Sequence, residues 1–407
     1  MNILFLTPTI PYPPNQGASI RNWGIIYHLS HKHSITLLSF NNHDQTFISK
    51  TLQKTCKTVT AINLPSRNTL HRLITILFSD KTDISHRYKS KVFSSQLTTI
   101  LSQNTFDVIQ IEGLEMTPYL KEINNYYDNN EQRPLIVYDA HNAEHIIQSR
   151  AIQTGITQPR LFLSVLYSLI QLPRILKLER QTCYHVDTVI CVSKEDSQHL
   201  QKINPKIKPT IIPNGITLQD YNIDIDKTHT KTPVILFCGK MDYRPNIDGV
   251  IWFVTHVLPQ IQITNPEVQF HIVGKSPTKQ VSNLSKYNGV RVIENVKDIK
   301  PYIASSTICV VPLRMGGGTR LKILEAFAMK KAIVSTTIGA EGFPVEHNKH
   351  LMIANTIKEQ TNTINSLLND VEKRIELGKA GYQMVKNDYQ WKDLTNILET
   401  IYNVKNN

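Results

Sequence analysis

Three glycines that run straight into an apolar helix bearing two cations and one carboxylate make Met315 to Ala328, MGGGTRLKILEAFA, the part of this chain best suited to chemistry. Gly316, Gly317 and Gly318 lack a Cβ, so the backbone N–H groups from there to Thr319 can approach an oxyanion closely. The helix that opens straight from the glycines adds the partial positive charge of its first turn. Arg320 and Lys322 supply two full charges, enough to hold a diphosphate. Glu325 lies about two turns in, roughly 10 Å beyond the helix start. That depth suits a carboxylate accepting hydrogen bonds from a ribose or hexose hydroxyl, so the pattern predicts a bound nucleotide-linked group.

The flanking segments say what must position these residues. Ile308 to Leu313 (ICVVPL) has the length and apolar character of a buried strand, and Ala332 to Thr336 (AIVST) reads as the next one. Strand, glycine turn, helix and strand form a βαβ unit, whose phosphate site lies at the carboxyl edge of its sheet.

The same plan occurs twice along the 407 residues. Strand-length apolar runs fall at Ile3 to Thr7, Ser34 to Phe40, Val108 to Ile111, Leu135 to Asp139 and Thr188 to Val192. A second set follows at Val234 to Cys238, Val268 to Val273, Val290 to Ile293, Ile308 to Pro312 and Ala332 to Ser335. Alternation of strands with helical stretches on this scale predicts two α/β domains, each a doubly wound parallel sheet covered on both faces. Pro205, Pro209, Pro213 and the polar run from Asp220 to Thr232 interrupt regular structure between them. Asp224 and Asp226 in that run read as a solvated charge cluster, and no metal is assigned to them.

Composition narrows the class further. A hydrophobic fraction of 41% with 19% charged residues is that of a globular protein. The opening MNILFLTPTI lacks a basic lead and is followed by Pro11, Pro13 and Pro14, so it reads as a first buried strand and not a signal peptide. No apolar run approaches the roughly 20 residues that span a bilayer. Cys56, Cys183, Cys191, Cys238 and Cys309 are scattered without close pair spacing, as expected of core thiols in a reducing cytoplasm. The net charge of +12 is dispersed and accompanies no nucleic-acid motif. Two stretches do combine basic and apolar residues: Leu70 to Phe78 (LHRLITILF), and Arg160 to Arg180, which includes Arg174 and Lys177. They predict peripheral contact with an anionic membrane, at about 1 kcal/mol per basic residue near the surface.

Over nearly its full length the chain resembles the retaining family 4 glycosyltransferases, of the subgroup that builds capsule, exopolysaccharide or lipopolysaccharide glycans. The landmarks are PYPPNQGASIRNW after the first strand, DAHNAE at Asp139 to Glu144, VSKED ending at Asp196, IIPNGI at Ile211 to Ile216, ILFCGKMDYRPN at Ile235 to Asn246, FHIVGKSP at Phe270 to Pro277, and GGGTRLKILEAFAMKKAIVSTTIGAEG from Gly316 to Gly342. The resemblance implies the GT-B fold, two Rossmann-like domains facing a central cleft. Its expected boundaries here are 1–205 for an acceptor-side domain, 206–388 for a nucleotide-sugar domain, and 389–407 for a helix, containing Trp391, that returns to the first domain.

The resemblance also implies site residues. Lys240 stands where a basic residue meets the donor diphosphate, and Glu325 matches the carboxylate associated with the ribose. His141 stands where the family has a functional histidine close to the transferred sugar. Gly17 occupies a glycine turn whose amide approaches the donor phosphate, and Asn295 and Val296 are expected near the base. Glu112 and Asp139 are the acceptor-side candidates. Two positions depart from the family pattern. Asn246 stands six residues after Lys240 in place of a second basic residue, a loss that Arg320 and Lys322 could make good, and Gly317 replaces a first glutamate.

Together these features predict a retaining, metal-independent glycosyltransferase without a resident cofactor. It would take a nucleotide-diphosphate sugar as substrate and transfer to a glycan or lipid-linked acceptor, at the inner face of the cytoplasmic membrane. A sugar-nucleotide epimerase of the same fold, or a catalytically silent nucleotide-sugar-binding protein, are the alternatives.

Overall fold

The computed structural model describes residues 1–14, 17–41, 48–128, 132–156, 162–222, 232–316 and 320–403. It divides into two units, Met1–Pro213 with Trp391–Asn407, and Asn214–Gln390. In the first unit, seven strands form one parallel sheet: β1 (Asn2–Thr7), β2 (Ser34–Asn41), β3 (Thr58–Asn63), β4 (Val108–Glu112), β5 (Leu135–Ala140), β6 (Thr188–Cys191) and β7 (Thr210–Ile211), in the order β3-β2-β1-β4-β5-β6-β7. The second unit has a six-stranded parallel sheet of β8 (Val234–Lys240), β9 (Gln269–Lys275), β10 (Val290–Glu294), β11 (Ile308–Val311), β12 (Ile333–Ser335) and β13 (Met352–Ile353), in the order β10-β9-β8-β11-β12-β13.

Both sheets are doubly wound. The strand order reverses between β1 and β4 in the first and between β8 and β11 in the second. Beyond the carboxyl ends of these strands neighbouring connections leave toward opposite faces, which opens a crevice where ligands bind. The apolar runs explain the layers. In β1, Ile3 and Phe5 enter one hydrophobic cluster while Leu4 and Leu6 enter another, so successive side chains fill the two faces of one sheet.

Every strand expected from the sequence forms within two residues of its expected ends. Three strands were not anticipated. β3 buries no residue fully, and β7 and β13 have two residues each, so none has the apolar run that marks a central strand. β7 pairs with β6 and carries the first unit to Pro213, eight residues beyond the expected boundary at 205.

The last helix, Trp391–Asn403, packs in the first unit, against the helix Gly17–Leu29. A Cβ on Gly24 would lie 2.2 Å from Trp391 Cε2, so only glycine admits the indole there. Leu394, Leu398 and Tyr402 are buried beside it. All five cysteines are buried free thiols.

Candidate functional site

In the second unit, the strand ends at the β8/β11 reversal carry the basic residues. β8 closes with Gly239 and Lys240, and the helix Arg244–Trp252 follows with Pro245 in its first turn. β11 leads to Gly316, at φ 115°, and then to Arg320, which precedes the helix Leu321–Ala328. A Cβ on Gly316 would lie 3.1 Å from Arg320 Nη2 and 3.2 Å from Pro245 Cγ, so the guanidinium packs directly against this glycine. Among the described residues no side chain caps the helix. Gly317, Gly318 and Thr319, expected in the donor loop, lie outside the described residues, as do Asp224 and Asp226.

Lys322 lies where the sequence departs from the family pattern. Its Nζ donates to Asn246 Oδ1 at 3.0 Å, and Asn246 Nδ2 donates to the Lys240 carbonyl at 2.8 Å. The ammonium also sits 3.9 Å from the centre of the Phe237 ring. Gly239 makes the space, since a Cβ there would fall 2.8 Å from Asn246 Nδ2 and 3.1 Å from Lys322 Nζ. A lysine of the neighbouring helix thus stands at Asn246. Burial, reinforced by the Arg320 charge, pushes the Lys322 ammonium down to about 7.

Glu325 lies about one turn into the helix that starts at Leu321, roughly 6 Å from its start, and not the two turns expected. It accepts a hydrogen bond from the Tyr221 hydroxyl at 3.2 Å, and burial raises it to about 7 despite Tyr221 and Lys322. Lys240 is half exposed and 3.3 Å from Asp242, so it stands at the surface of the strand end. Asn295 follows β10 with a left-handed backbone, φ 52°, and its amide donates to Gly274 O at the end of β9. Val296 and Leu321 are partly buried against the core. Gly17 is the exposed first residue of its helix.

At the β1/β4 reversal of the first unit, the polar residues form a buried network. Arg21, 1% exposed, makes a bidentate pair with Asp139 at 2.8 and 2.9 Å and also donates to Ile212 O at 2.9 Å. Glu112 is 0% exposed. It accepts from Gln110 Nε2 at 2.6 Å and lies 2.9 Å from His141 Nε2. The Asn22 carboxamide, with its nitrogen toward Glu112, donates to Oε2 at 2.9 Å. Glu112 and Asp139, expected to touch an acceptor, are thus sealed inside, and their oxygens serve Arg21, Asn22, Gln110 and His141. His141 is the member of this group that reaches the surface.

Glu112, Asp139 and His141 offer three ligand atoms within 4.8 Å of one another, a spacing that a metal ion could use. The bidentate Arg21 already meets the Asp139 charge, so the cluster is compensated by the chain itself. Burial disfavours the His141 imidazolium, but the Glu112 bond and the Asp139 charge outweigh it and raise this histidine above its usual range. Burial and the Asp139 charge hold Glu112 above the usual carboxylate range. Nearby Glu144 is pushed up to about 8 by burial and by the charges of Glu115 and Glu179.

Arg21, Asn22, Gln110, Tyr221 and Tyr402 are the members that sequence reasoning missed. Arg21 left a trace: it shares the inward face of an apolar helix with Ile25 and Leu29, where a charge requires a partner. Tyr221, in a polar connection, left none.

Residues 232–370 match the family described as glycosyl transferases group 1. An uncharacterized 44.6 kDa protein in the cps region of Klebsiella pneumoniae is 29% identical over 129 residues, 30% of this chain and 33% of that protein. The match thus spans about a third of the length of that curated relative. Sucrose-phosphate synthase from Thermosynechococcus elongatus superposes with a TM-score of 0.72 at 15% identity, covering 99% of this chain and 98% of the other. HepE from Anabaena, solved with UDP and glucose, gives 0.68 at 16% identity over 99% and 100% of the two chains. At such identities the likeness is one of fold, and that fold is GT-B.

Proposed function

We propose that this chain, whose residues 232–370 carry a group 1 glycosyl transferase domain, transfers a sugar from a nucleotide-diphosphate sugar to a glycan or lipid-linked acceptor in cell-surface polysaccharide assembly. The observation that carries the proposal is the Lys322 ammonium, 3.0 Å from Asn246 at the end of β8. With Arg320 and the N-terminus of the helix Leu321–Ala328 it gathers positive charge at a sheet reversal point. The cps-region relative supports the biological setting.

In this reading the diphosphate leaves as the glycosidic bond breaks, and the acceptor hydroxyl attacks the same face through an oxocarbenium-like state, so the configuration is retained. Negative charge grows on the leaving phosphate oxygens. Lys322, Arg320 and Lys240 stabilise it, each such contact lowering the barrier by roughly 2–4 kcal/mol. Because side-chain cations meet that charge, the reaction is assigned no divalent metal, and undiminished turnover in EDTA is the expected result. Glu325 receives the ribose hydroxyls. His141 is assigned, on the family resemblance, to the transferred sugar.

UDP and UDP-glucose are the first probes, since HepE has been solved with both. A ligand at a hundred times its dissociation constant adds about 2.7 kcal/mol of stability, so thermal shift can rank a panel of nucleotide sugars. Stabilisation by a nucleotide sugar and acceptor-dependent release of its diphosphate are expected. Binding without transfer to any glycan or lipid-linked acceptor points to a silent binding protein, and acceptor-independent interconversion of the donor sugar points to an epimerase.

Exposed apolar surface favours a lipid-linked acceptor. The helix Thr69–Phe78 buries none of its residues, and Leu70, Leu73, Leu77 and Phe78 are all more than half exposed. Arg174 joins it to the helix Phe162–His185 by donating to Ile76 O at 2.8 Å, and Phe162, Leu163 and Leu169 of that helix are exposed as well. Neither helix carries an acid before Glu179, while His71, Arg174 and Lys177 are basic, as is Arg72, which pairs with Asp83 at 3.2 Å. Of the other expected basic residues, Arg160 lies outside the described residues, and Arg180 donates to Ile203 O. A basic, apolar surface fits the anionic inner face of the cytoplasmic membrane. Sedimentation with phosphatidylglycerol vesicles at low salt should exceed that with phosphatidylcholine and fall as salt is added, and equal binding to both would remove the membrane from the proposal.

A further inference from the structure

β4 reads VIQIE, and all five of its residues are buried. Because side chains alternate along a strand, Gln110 and Glu112 project to the same face of the sheet. Burying an amide and a carboxylate is unfavourable unless each finds partners, and here the partners form a chain. The Tyr402 hydroxyl, fully buried on the last helix, donates to Gln110 Oε1 across 292 residues of sequence. Gln110 Nε2 donates to Glu112 Oε1 at 2.6 Å, and Glu112 Oε2 lies 2.9 Å from His141 Nε2.

The chain has a direction. With its oxygen taken by Tyr402, the Gln110 amide can only turn its nitrogen toward Glu112. That nitrogen favours the ionised carboxylate, which in turn holds the proton on His141 Nε2. The other ring nitrogen, Nδ1, faces the turn after β4, where a Cβ on Gly113 would lie 3.7 Å from it and 2.5 Å from Glu115 Oε2.

We propose that Glu112 is the positioning residue of His141, and that Tyr402, acting through Gln110, keeps the carboxylate aimed at Nε2 so that Nδ1 is left for a ligand. The C-terminal helix thereby sets the tautomer of a strand-end histidine more than 250 residues away, which gives its last turn a task besides packing. The proposal rests on the glycosyltransferase reading only for the role of His141. The charged groups around the imidazole are Glu112 on β4, Glu115 in the following turn, Asp139 on β5, Glu144 at the next helix and Arg21 from the helix Gly17–Leu29. Arg21 is committed to Asp139, which leaves Glu112 as the carboxylate in hydrogen-bond contact with His141.

The test is a histidine-selective NMR titration of the full chain without ligand, with the His141 resonance assigned from His141→Gln. In Glu112→Gln the midpoint of His141 should fall by about one pH unit or more, as expected when a contacting opposite charge is removed. Tyr402→Phe, which keeps the ring and loses one oxygen, should lower it by a few tenths of a unit and leave the surface histidine His31 unmoved. An unchanged His141 midpoint in a folded Tyr402→Phe protein overturns the relay. A second readout separates this inference from the proposed function. If His141 titrates as expected but the pH profile of sugar transfer does not move in Tyr402→Phe, the relay stands and the catalytic assignment of His141 fails. If both move together, with kcat affected more than the donor KM, both stand.

Discussion

Replacing Lys322 by methionine keeps most of the side chain's length and removes the charge beside Asn246, and the consequences can be worked out for the empty and the occupied site. Without a ligand the ammonium is depressed to about 7 by burial, so it can lose its proton near neutral pH. A diphosphate 3 Å away would hold it fully protonated, so binding takes up a proton. With the bound ammonium kept protonated over this range, the Lys322 contribution to nucleotide-sugar affinity is about tenfold weaker at pH 8 than at pH 6. Glu325, raised to about 7, acts in the opposite sense if its carboxylate accepts ribose hydroxyls, because it ionises over the same range. UDP-glucose is the ligand of choice, since a free diphosphate titrates by itself near pH 6.

Calorimetry from pH 6 to 8 reports the sum of these two opposed contributions, so the informative comparison is between the native chain and Lys322→Met. In Lys322→Met affinity at pH 6 should drop about thirtyfold, roughly 2 kcal/mol for one lost charge-assisted contact, and affinity should then rise with pH, because only the Glu325 contribution is left. The empty protein should respond oppositely. A lysine with a depressed folded value costs stability wherever both folded and unfolded states would be protonated, and that cost fades as pH rises from about 7 toward 10.5. Lys322→Met should therefore raise Tm at pH 6 by a few degrees, with a smaller gain at pH 9. The reasoning is refuted if Lys322→Met binds UDP-glucose with native affinity, or keeps the native pH dependence.

Glu325→Gln should weaken UDP and UDP-glucose alike, by about tenfold for one hydrogen bond to a charged group; a loss confined to UDP-glucose would move this carboxylate from the ribose to the sugar. Asp139→Asn leaves the Arg21 guanidinium buried against a neutral amide, and denaturant unfolding should show a loss of about 3–5 kcal/mol. Gly24→Ala drives a methyl group into the Trp391 indole and should cost about 1–3 kcal/mol by overpacking, with the last helix more exposed to proteolysis.

The glycine-loop site of the second unit was legible because its residues are local in sequence. Glycines, two cations and a glutamate fall within one turn and helix, and the helical period fixes where Arg320, Lys322 and Glu325 project relative to one another. The meeting of Lys322 with Asn246 could also be anticipated, because a strand end proposed to hold a diphosphate and lacking one cation points to the nearest cation on the next helix. The central strands were legible for a related reason: strands buried on both faces write their burial into consecutive apolar residues. β3, β7 and β13 sit at or next to sheet edges, where that requirement lapses and the apolar signal lapses with it.

The first unit was harder because a buried carboxylate and a ligand-facing carboxylate look alike in sequence. Glu112 and Asp139 both end buried strands at a sheet reversal, the place where a substrate contact is expected. What separates the two cases is whether the chain supplies the counter-charge, and the partners are remote: Arg21 lies 118 residues before Asp139, and Tyr402 closes the network from 292 residues beyond Gln110. The informative sequence signal was therefore on the partners. Arg21 interrupts the inward face of an apolar helix, and Tyr402 follows Leu394 and Leu398 on the buried face of the last one. A polar group placed where only apolar neighbours are expected implies a second such group to meet it, since burying either alone costs several kcal/mol. Pairing the unexplained polar residues of apolar helices with those at strand ends removes Asp139 from the acceptor candidates and leaves His141, the one of the network's residues with a surface to offer.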